Sequence, residues 1–405
     1  MRILFLLTQD LESPSGLGRY LPLTKELVKL GHTVNISALH SNYESLGQSN
    51  CEIEGVQVNY VAPMHVRKSS DQKSFYSNPE LLAVASRATW ELSWSALHTQ
   101  AEVVHIAKPH PMNSIAGLLT RFLQNRTLYL DCDDYEAGSG NFQNKWQQKG
   151  VTFFEKQVPK YVKMVTTNTM FMKENLTQWG VPPERIVYLP NGVDRERFSH
   201  IDPAKVDTLR REFGLEDKKV VVYIGTLSYV SHSIGLIIEA FRIVRQTIPD
   251  SKLLLVGGGE DIEKLQRQAS EFGISNAVHF CGRVTPDIVP QYYALADVSV
   301  DPVYDNPAAR GRSPLKLFES WACGVPFVTA DVGDRRQLMD EPPAGLLSKP
   351  GDPDSLAAEI IRVLDSQELS TSLKQRGLER MKIYYWDVLV KRVEKVYLDA
   401  SQDIG

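Results

Sequence analysis

Cysteine is scarce in this chain: four in 405 residues (Cys51, Cys132, Cys281 and Cys323), with no C-x-x-C pair and no histidine ladder beside them. That scatter argues against a zinc site or a disulfide framework and for reduced thiols. Long apolar runs are missing too. The first one, Ile3 to Leu7, follows only Met1 and Arg2 and is too short for a secretory core. No stretch approaches the ~18 apolar residues of a membrane span. The expectation is a cytoplasmic chain, in which the Asn-x-Thr triplets at Asn125 and Asn175 are coincidental. Excess positive charge is absent as well. Lys plus Arg number 45 against 49 Asp plus Glu, a net charge of −4, which excludes a global nucleic-acid footprint.

What remains is an ordinary globular composition. Hydrophobic residues at 42% and charged residues at 23% exclude a disordered chain. At roughly 150 residues per domain the length suggests two or three domains, each able to bury a core without staples.

Two halves repeat one rhythm, short apolar runs followed by amphipathic stretches, which implies parallel sheets covered by helices. In the first half Arg2–Leu7, Thr33–Leu39, Val56–Val61, Val103–Ala107, Thr127–Asp131 and Met164–Thr167 read as strands. A helix is expected from about Arg19 to Leu30, stopped by Gly31. The second half restarts at Val220–Ile224 and continues through Lys252–Val256, Val278–Phe280, Val298–Asp301 and Val325–Thr329. The charged segment Ser199–Phe213 reads as a linker and first helix. The fold class is therefore α/β, two Rossmann-like doubly wound domains facing a central cleft. The expected domains are 1–198 and 199–384, with a terminal amphipathic helix over about 385–402 that can pack on either. In such sheets ligands bind beyond the carboxyl ends of the strands, so the loops there carry the chemistry.

The first such loop holds Gly16 and Gly18, a turn whose amides could approach an anion at a helix start. The dinucleotide fingerprint is incomplete, because Leu21 stands where a third glycine belongs. The second strand also ends Ala38-Leu39-His40, without an acid for a ribose, so a nicotinamide site is disfavoured. Gly257–Gly259 occupies the equivalent place in the second half, with a structural role favoured.

Two segments say more: LPNGVDRERF over 189–198, and RGRSPLKLFESWACGVP over 310–326. With the opening Gly-Leu-Gly, Gly31-His32, FCGR over 280–283 and Tyr385-Trp386-Asp387, the set resembles the retaining glycosyltransferases of family 4, which have the GT-B fold. The resemblance spans nearly the whole chain. It implies a hexosyl- or other glycosyltransferase moving a sugar from a nucleotide-sugar donor to a saccharide, lipid-linked or small-molecule acceptor, with retention. It implies no cofactor and no metal, the nucleotide sugar being a substrate. By carry-over Glu319 holds the ribose hydroxyls, an ionised carboxylate accepting two O–H bonds.

The sequence departs from the family pattern twice. Gly311 stands where a second glutamate is usual, and Gly225-Thr226 is followed by no Arg or Lys strap for the diphosphate. A departing diphosphate carries negative charge that must be neutralised. Arg310, Arg312 and Lys316 are the expected substitutes, with Ser313 and Leu315 as further donor contacts in the same segment. Arg283, or the backbone of Val284, could meet the base.

On the acceptor side, His105 lies within a strand and reads as a packed core residue, whereas His110 lies just past it. The resemblance puts a functional histidine in this loop, assigned to His110 or to Lys108. Asp131, Asp133, Asp134 and Glu136 crowd six positions; Asp133 and Asp134 read as acceptor-hydroxyl contacts or as an Asx-turn. The stretch Met64–Pro79, with Arg67, Lys68, Lys73, Phe75 and Tyr76, reads as a loop making at most a weak contact with the inner face of a membrane. The rival readings are an epimerase or phosphorylase on the same fold, and an inactive sugar-nucleotide-binding relative.

Overall fold

The computed structural model describes residues 1–69, 72–138, 142 and 144–402. The chain forms two compact units. The first comprises Met1–Gly192, Gly311–Ser313 and the C-terminal stretch from Trp386; the second comprises Val193–Arg310 and Pro314–Tyr385. The sequence reading placed the boundary between 198 and 199; the observed one lies between Gly192 and Val193, so the short helix Arg195–Ser199 falls in the second unit.

The first unit contains β1 (Arg2–Leu7), β2 (Thr33–His40), β3 (Asn50–Ile53), β4 (Val56–Pro63), β5 (Val66–Ser69), β6 (Gln72–Phe75), β7 (Val103–Ala107), β8 (Thr127–Cys132), β9 (Met164–Thr167) and β10 (Ile186–Tyr188). Eight of these form one sheet in the order β10-β9-β8-β7-β1-β2-β4-β3. All its pairings are parallel except β3 with β4. The interior strands are buried along their length because helices cover both faces; every side chain from Ile3 to Leu7 has no exposed surface. The order reverses between β1 and β7, the switch point where an open α/β sheet leaves a crevice at its carboxyl edge.

β5 and β6 pair antiparallel, Val66 with Phe75 and Arg67 with Ser74, where the sequence reading expected a loop. The Arg67 guanidinium lies 4.2 Å over the ring of Tyr76, which is itself buried. That basic–aromatic pair is therefore satisfied within the unit. Ser70 and Asp71 lie outside the described residues.

The second unit contains β11 (Lys219–Ile224), β12 (Ser251–Val256), β13 (Val278–Gly282), β14 (Val298–Asp301), β15 (Phe327–Ala330) and β16 (Leu346–Ser348). They form one parallel sheet ordered β13-β12-β11-β14-β15-β16, with its own switch point between β11 and β14. Both sheets are thus doubly wound, as expected.

The terminal helix Trp386–Gln402 joins the first unit. Trp386, Leu389, Val390, Val393 and Tyr397 enter the core that holds Ile3, Phe5 and Leu7. Trp386 Nε1 donates to the carbonyl of Gly18 at 3.0 Å. His105, in β7, stacks on Phe5 with ring centroids 4.7 Å apart and hydrogen-bonds the Tyr397 hydroxyl. Burial pulls its pKa down to about 4, so it is the core histidine that its place in the strand implied.

Candidate active site

In the second unit the carboxyl ends of β11 and β12, beside the switch point, are built on glycine. Gly225 ends β11 at φ +154°, and Gly257 ends the adjacent β12 at φ +140°. A Cβ on Gly257 would meet the Gly225 carbonyl at 1.9 Å, and one on Gly259 would meet the Leu227 carbonyl at 2.1 Å. The favoured structural role of this triplet is what the backbone requires.

Above these glycines stands the helix Leu315–Ala322. Lys316 lays its chain against Gly225, its Cε 2.9 Å from where a Cβ would stand. Its ammonium sits 5.0 Å from the Tyr223 ring centre and 3.1 Å from Asp301 Oδ1. Asp301, at the end of β14, also faces Arg335 through its other oxygen at 3.2 Å. Burial opposes ionisation of Asp301, but Lys316 and Arg335 outweigh it and hold the pKa down at about 2.

Three residues after Lys316, Glu319 is buried. Arg197 Nη2 donates to its Oε1 at 3.2 Å and the Tyr293 hydroxyl to its Oε2 at 3.1 Å. Burial raises its pKa, against the pull of Arg197. Each carboxylate oxygen keeps lone-pair capacity beyond those bonds. Sequence reasoning found Glu319 and Lys316 but missed Asp301, Arg335, Arg197 and Tyr293. Asp301 had the signal of a strand end and Arg197 of the segment after Asn191-Gly192, whereas Tyr293, inside the helix Val289–Ala294, and Arg335, which opens the helix Arg335–Met339, had none.

The other expected donor residues scatter. Arg310 is exposed and clasped by Asp305, with N–O distances of 2.6 and 2.7 Å. Arg312 and Ser313 belong to the first unit. Of the three cations expected to act together, Lys316 lies against Gly225, where its helix fixes it, while Arg310 finds a carboxylate five residues away. Thr226 accepts the Tyr223 hydroxyl on its carbonyl, Arg283 is exposed, Val284 packs on the core and Leu315 opens the helix.

In the first unit Gly16 and Gly18 do not form an open cradle. They lie inside a wide helical turn, Gly16–Tyr20, that runs straight into the helix Leu21–Lys29. The Gly16 N–H is spent on Ser13 Oγ at 3.1 Å, and a Cβ there would stand 2.3 Å from the Asp10 carbonyl. Close backbone approach is what this glycine provides. The next residue but two, Arg19, is buried and bidentate on Asp131 at 2.6 and 2.7 Å. It also donates to Asn191 Oδ1 at 3.0 Å, and Asn191 in turn donates to Ser313. Thus Asp131 and the asparagine of the P-N-G segment are joined by an arginine that sequence reading took only as a helix start.

His110 caps the helix Pro111–Gln124. Its Nδ1 lies 2.6 Å from Thr8 Oγ1 and its Nε2 3.3 Å from Glu136 Oε2. Lys108 adopts φ +65°, pinned by Asn113, whose Nδ2 donates to the carbonyls of Ala107 and Lys108. Its buried ammonium lies 3.2 Å from Asp133, 2.8 Å from Asp134 and 2.7 Å from Glu136. Asp133, Asp134 and Glu136 offer oxygens within 4.8 Å of one another, a spacing that could hold a cation. Here the Lys108 ammonium is that cation. Burial would lower the Lys108 pKa, but the three carboxylates raise it well above the ordinary range. Burial pushes the Asp133 carboxyl up to about 7 against the pull of Lys108. The expected acceptor residues Lys108, Asp133 and Asp134 are thus brought together, with the lysine engaged by its neighbours.

Family models match both units: a glycosyl transferase 4-like domain over residues 15–192, and glycosyl transferases group 1 over 205–380. The chain belongs to the family 4 glycosyltransferases. A GDP-mannose-dependent α-(1-6)-phosphatidylinositol monomannoside mannosyltransferase of Mycolicibacterium smegmatis is 31% identical over 181 residues, 44% of this chain and 47% of the relative. A D-inositol 3-phosphate glycosyltransferase of Acidothermus cellulolyticus is 29% identical over 248 residues, 59% of this chain and 53% of the relative. The matched stretch therefore spans about half the length of these relatives.

Among solved structures, sucrose-phosphate synthase of Thermosynechococcus elongatus superposes over 100% of both chains with TM-score 0.77 and 18% identity. Anabaena HepE in complex with UDP-glucose covers 98% of this chain and 100% of its own, with TM-score 0.74 and 19% identity. These neighbours establish the GT-B fold. For this family 4 glycosyltransferase, Glu319 and its helix Leu315–Ala322 lie within the matched residues 205–380.

Proposed function

We propose that this chain transfers a hexosyl group from a nucleotide-sugar donor to a hydroxyl-bearing acceptor, with the second unit binding the donor and the first the acceptor. One observation carries the reading: a buried Glu319, held by Arg197 and Tyr293, one helical turn beyond a lysine laid on the glycine floor at the switch point. Glu319 accepts the two ribose hydroxyls on its remaining lone pairs. Lys316 neutralises the diphosphate as the glycosidic bond breaks, replacing the missing strap, and Asp301, itself held by Arg335, positions its ammonium.

Both His110 nitrogens face protein partners, so His110 orients the acceptor loop and does not abstract the proton. In a retaining transfer the acceptor hydroxyl gives its proton to an oxygen of the departing phosphate while its oxygen bonds to the anomeric carbon. This reading needs no resident cofactor or metal. The relatives' names make GDP-mannose the first donor to assay, followed by UDP-glucose. The test is release of nucleoside diphosphate from UDP, GDP and ADP sugars by the full chain, with the product anomer read by NMR. Release from at least one donor, lost in Glu319→Gln, is expected; no release and no binding of any nucleotide sugar would refute the assignment.

A further inference from the structure

Among the described residues of the first unit, the most exposed large apolar side chains lie on three helices. The helices Asn78–His98 and Pro111–Gln124 pack their inner faces, Ala88, Leu92 and Ala96 on one and Met112 and Ala116 on the other, into a core with Leu4, Leu6 and Leu130. The helix Lys145–Gln157 adds Phe154 to the same core. All three therefore cover the same side of the first sheet. Their outer sides should be polar, and they are not. Trp90 is 67% exposed, Phe122 69%, Leu123 67% and Phe153 61%, with Trp94 and Tyr161 about half exposed. Trp90 and Trp94 are one turn apart on a single helix stripe. The ends of the first two helices are fastened together, Gln124 donating to the Leu97 carbonyl, and Arg121 reaches the Tyr161 carbonyl. Singly exposed apolar residues are normal; a concentration of large aromatics on one helix layer marks an interaction surface.

The charge at one edge of this layer, the stretch from Lys145 to Lys163, points to the partner. From Lys145 to Lys163 there are five lysines (Lys145, Lys149, Lys156, Lys160, Lys163) and one acid, Glu155, which is buried on the amides of Glu136 and Ala137. The chain as a whole is net negative, so this basicity is local. Lys149, Phe153 and Lys156 follow one another at helical spacing on the helix Lys145–Gln157, so the exposed ring stands beside lysines. Aromatic rings beside lysines suit a bilayer interface, the rings entering the headgroup layer and the ammonium groups meeting anionic lipid. A second copy of the chain fits poorly, because a two-fold contact through this layer would set lysines against lysines.

We propose that the outer face of these three helices docks the protein on an anionic lipid bilayer. This surface lies on the outer faces of helices and not on the hairpin of the Met64–Pro79 segment considered above. The inference stands apart from the transferase reading and is tested without it. The full chain is sedimented with vesicles of phosphatidylcholine alone or mixed with phosphatidylglycerol, while tryptophan emission is followed. Sedimentation with the mixed vesicles, blue-shifted emission and weakening with salt are expected, with little binding to phosphatidylcholine alone. The paired change Lys149→Glu and Lys156→Glu should cut binding at least about tenfold, as should Phe122→Ser with Phe153→Ser, while the urea midpoint stays unchanged. Equal binding to both vesicles, no binding to either, or a concentration-dependent dimer abolished by these substitutions would overturn the proposal.

Discussion

Lys316→Ala isolates the electrostatic step on which the donor assignment depends. In the wild type the Lys316 ammonium lies 3.1 Å from Asp301 and its chain covers Gly225, while Asp301 keeps Arg335 as a second partner. Truncation therefore leaves no buried charge wholly unpaired, and the fold should survive. What is lost is a charge-assisted contact to the diphosphate, about 1.5–3 kcal/mol, or about ten- to a hundredfold in affinity. Titration calorimetry with the nucleoside diphosphate and with the matching nucleoside separates the two ends of the ligand. The diphosphate should lose affinity while the nucleoside, whose ribose the proposed function assigns to Glu319, keeps it. Glu319→Gln should weaken both alike. Equal losses for nucleoside and diphosphate in Lys316→Ala, or no loss for either, would refute the idea that this lysine replaces the missing strap.

Two further outcomes follow from buried charge in the first unit. Asp131→Asn should destabilise the protein by about 3–5 kcal/mol in urea unfolding, because Arg19 is left buried without its counter-ion; the double change Arg19→Met with Asp131→Leu should recover much of that, and a cost under about 1 kcal/mol for the single change would contradict the pairing. His105 has its native pKa pulled from 6.5 to about 4, so the unfolded chain takes up a proton in that window while the native one does not. Its contribution, up to about 3 kcal/mol, is complete above pH 6.5 and is lost as pH falls towards 4. His105→Phe should flatten the stability–pH curve there; an unchanged slope would show that the imidazole is not held neutral by burial.

Most of the strand pattern was legible in the sequence because parallel strands buried on both faces are continuous apolar runs. Val220–Ile224 and Val298–Asp301 needed no tertiary information. The hairpin at Val66–Phe75 was not legible, since a polar two-stranded ribbon has no apolar run to mark it. Glu319 and Lys316 could be placed because they share one helix, where spacing in sequence is spacing on a face. Arg197, Tyr293, Asp301 and Arg335 could not, since they converge from four separate segments.

The local sequence settled which segments would be strands and helices, and which short motif carries the helix of Glu319. Those outcomes depend on near neighbours along the chain, through hydrophobic period and backbone geometry. Tertiary structure alone decided that Arg19 belongs to Asp131, that Lys108 balances three carboxylates, that Arg310 is taken by Asp305, and that the last helix completes the first core. Burial strengthens Coulomb forces among whichever charges the fold encloses, and no local pattern records which those are.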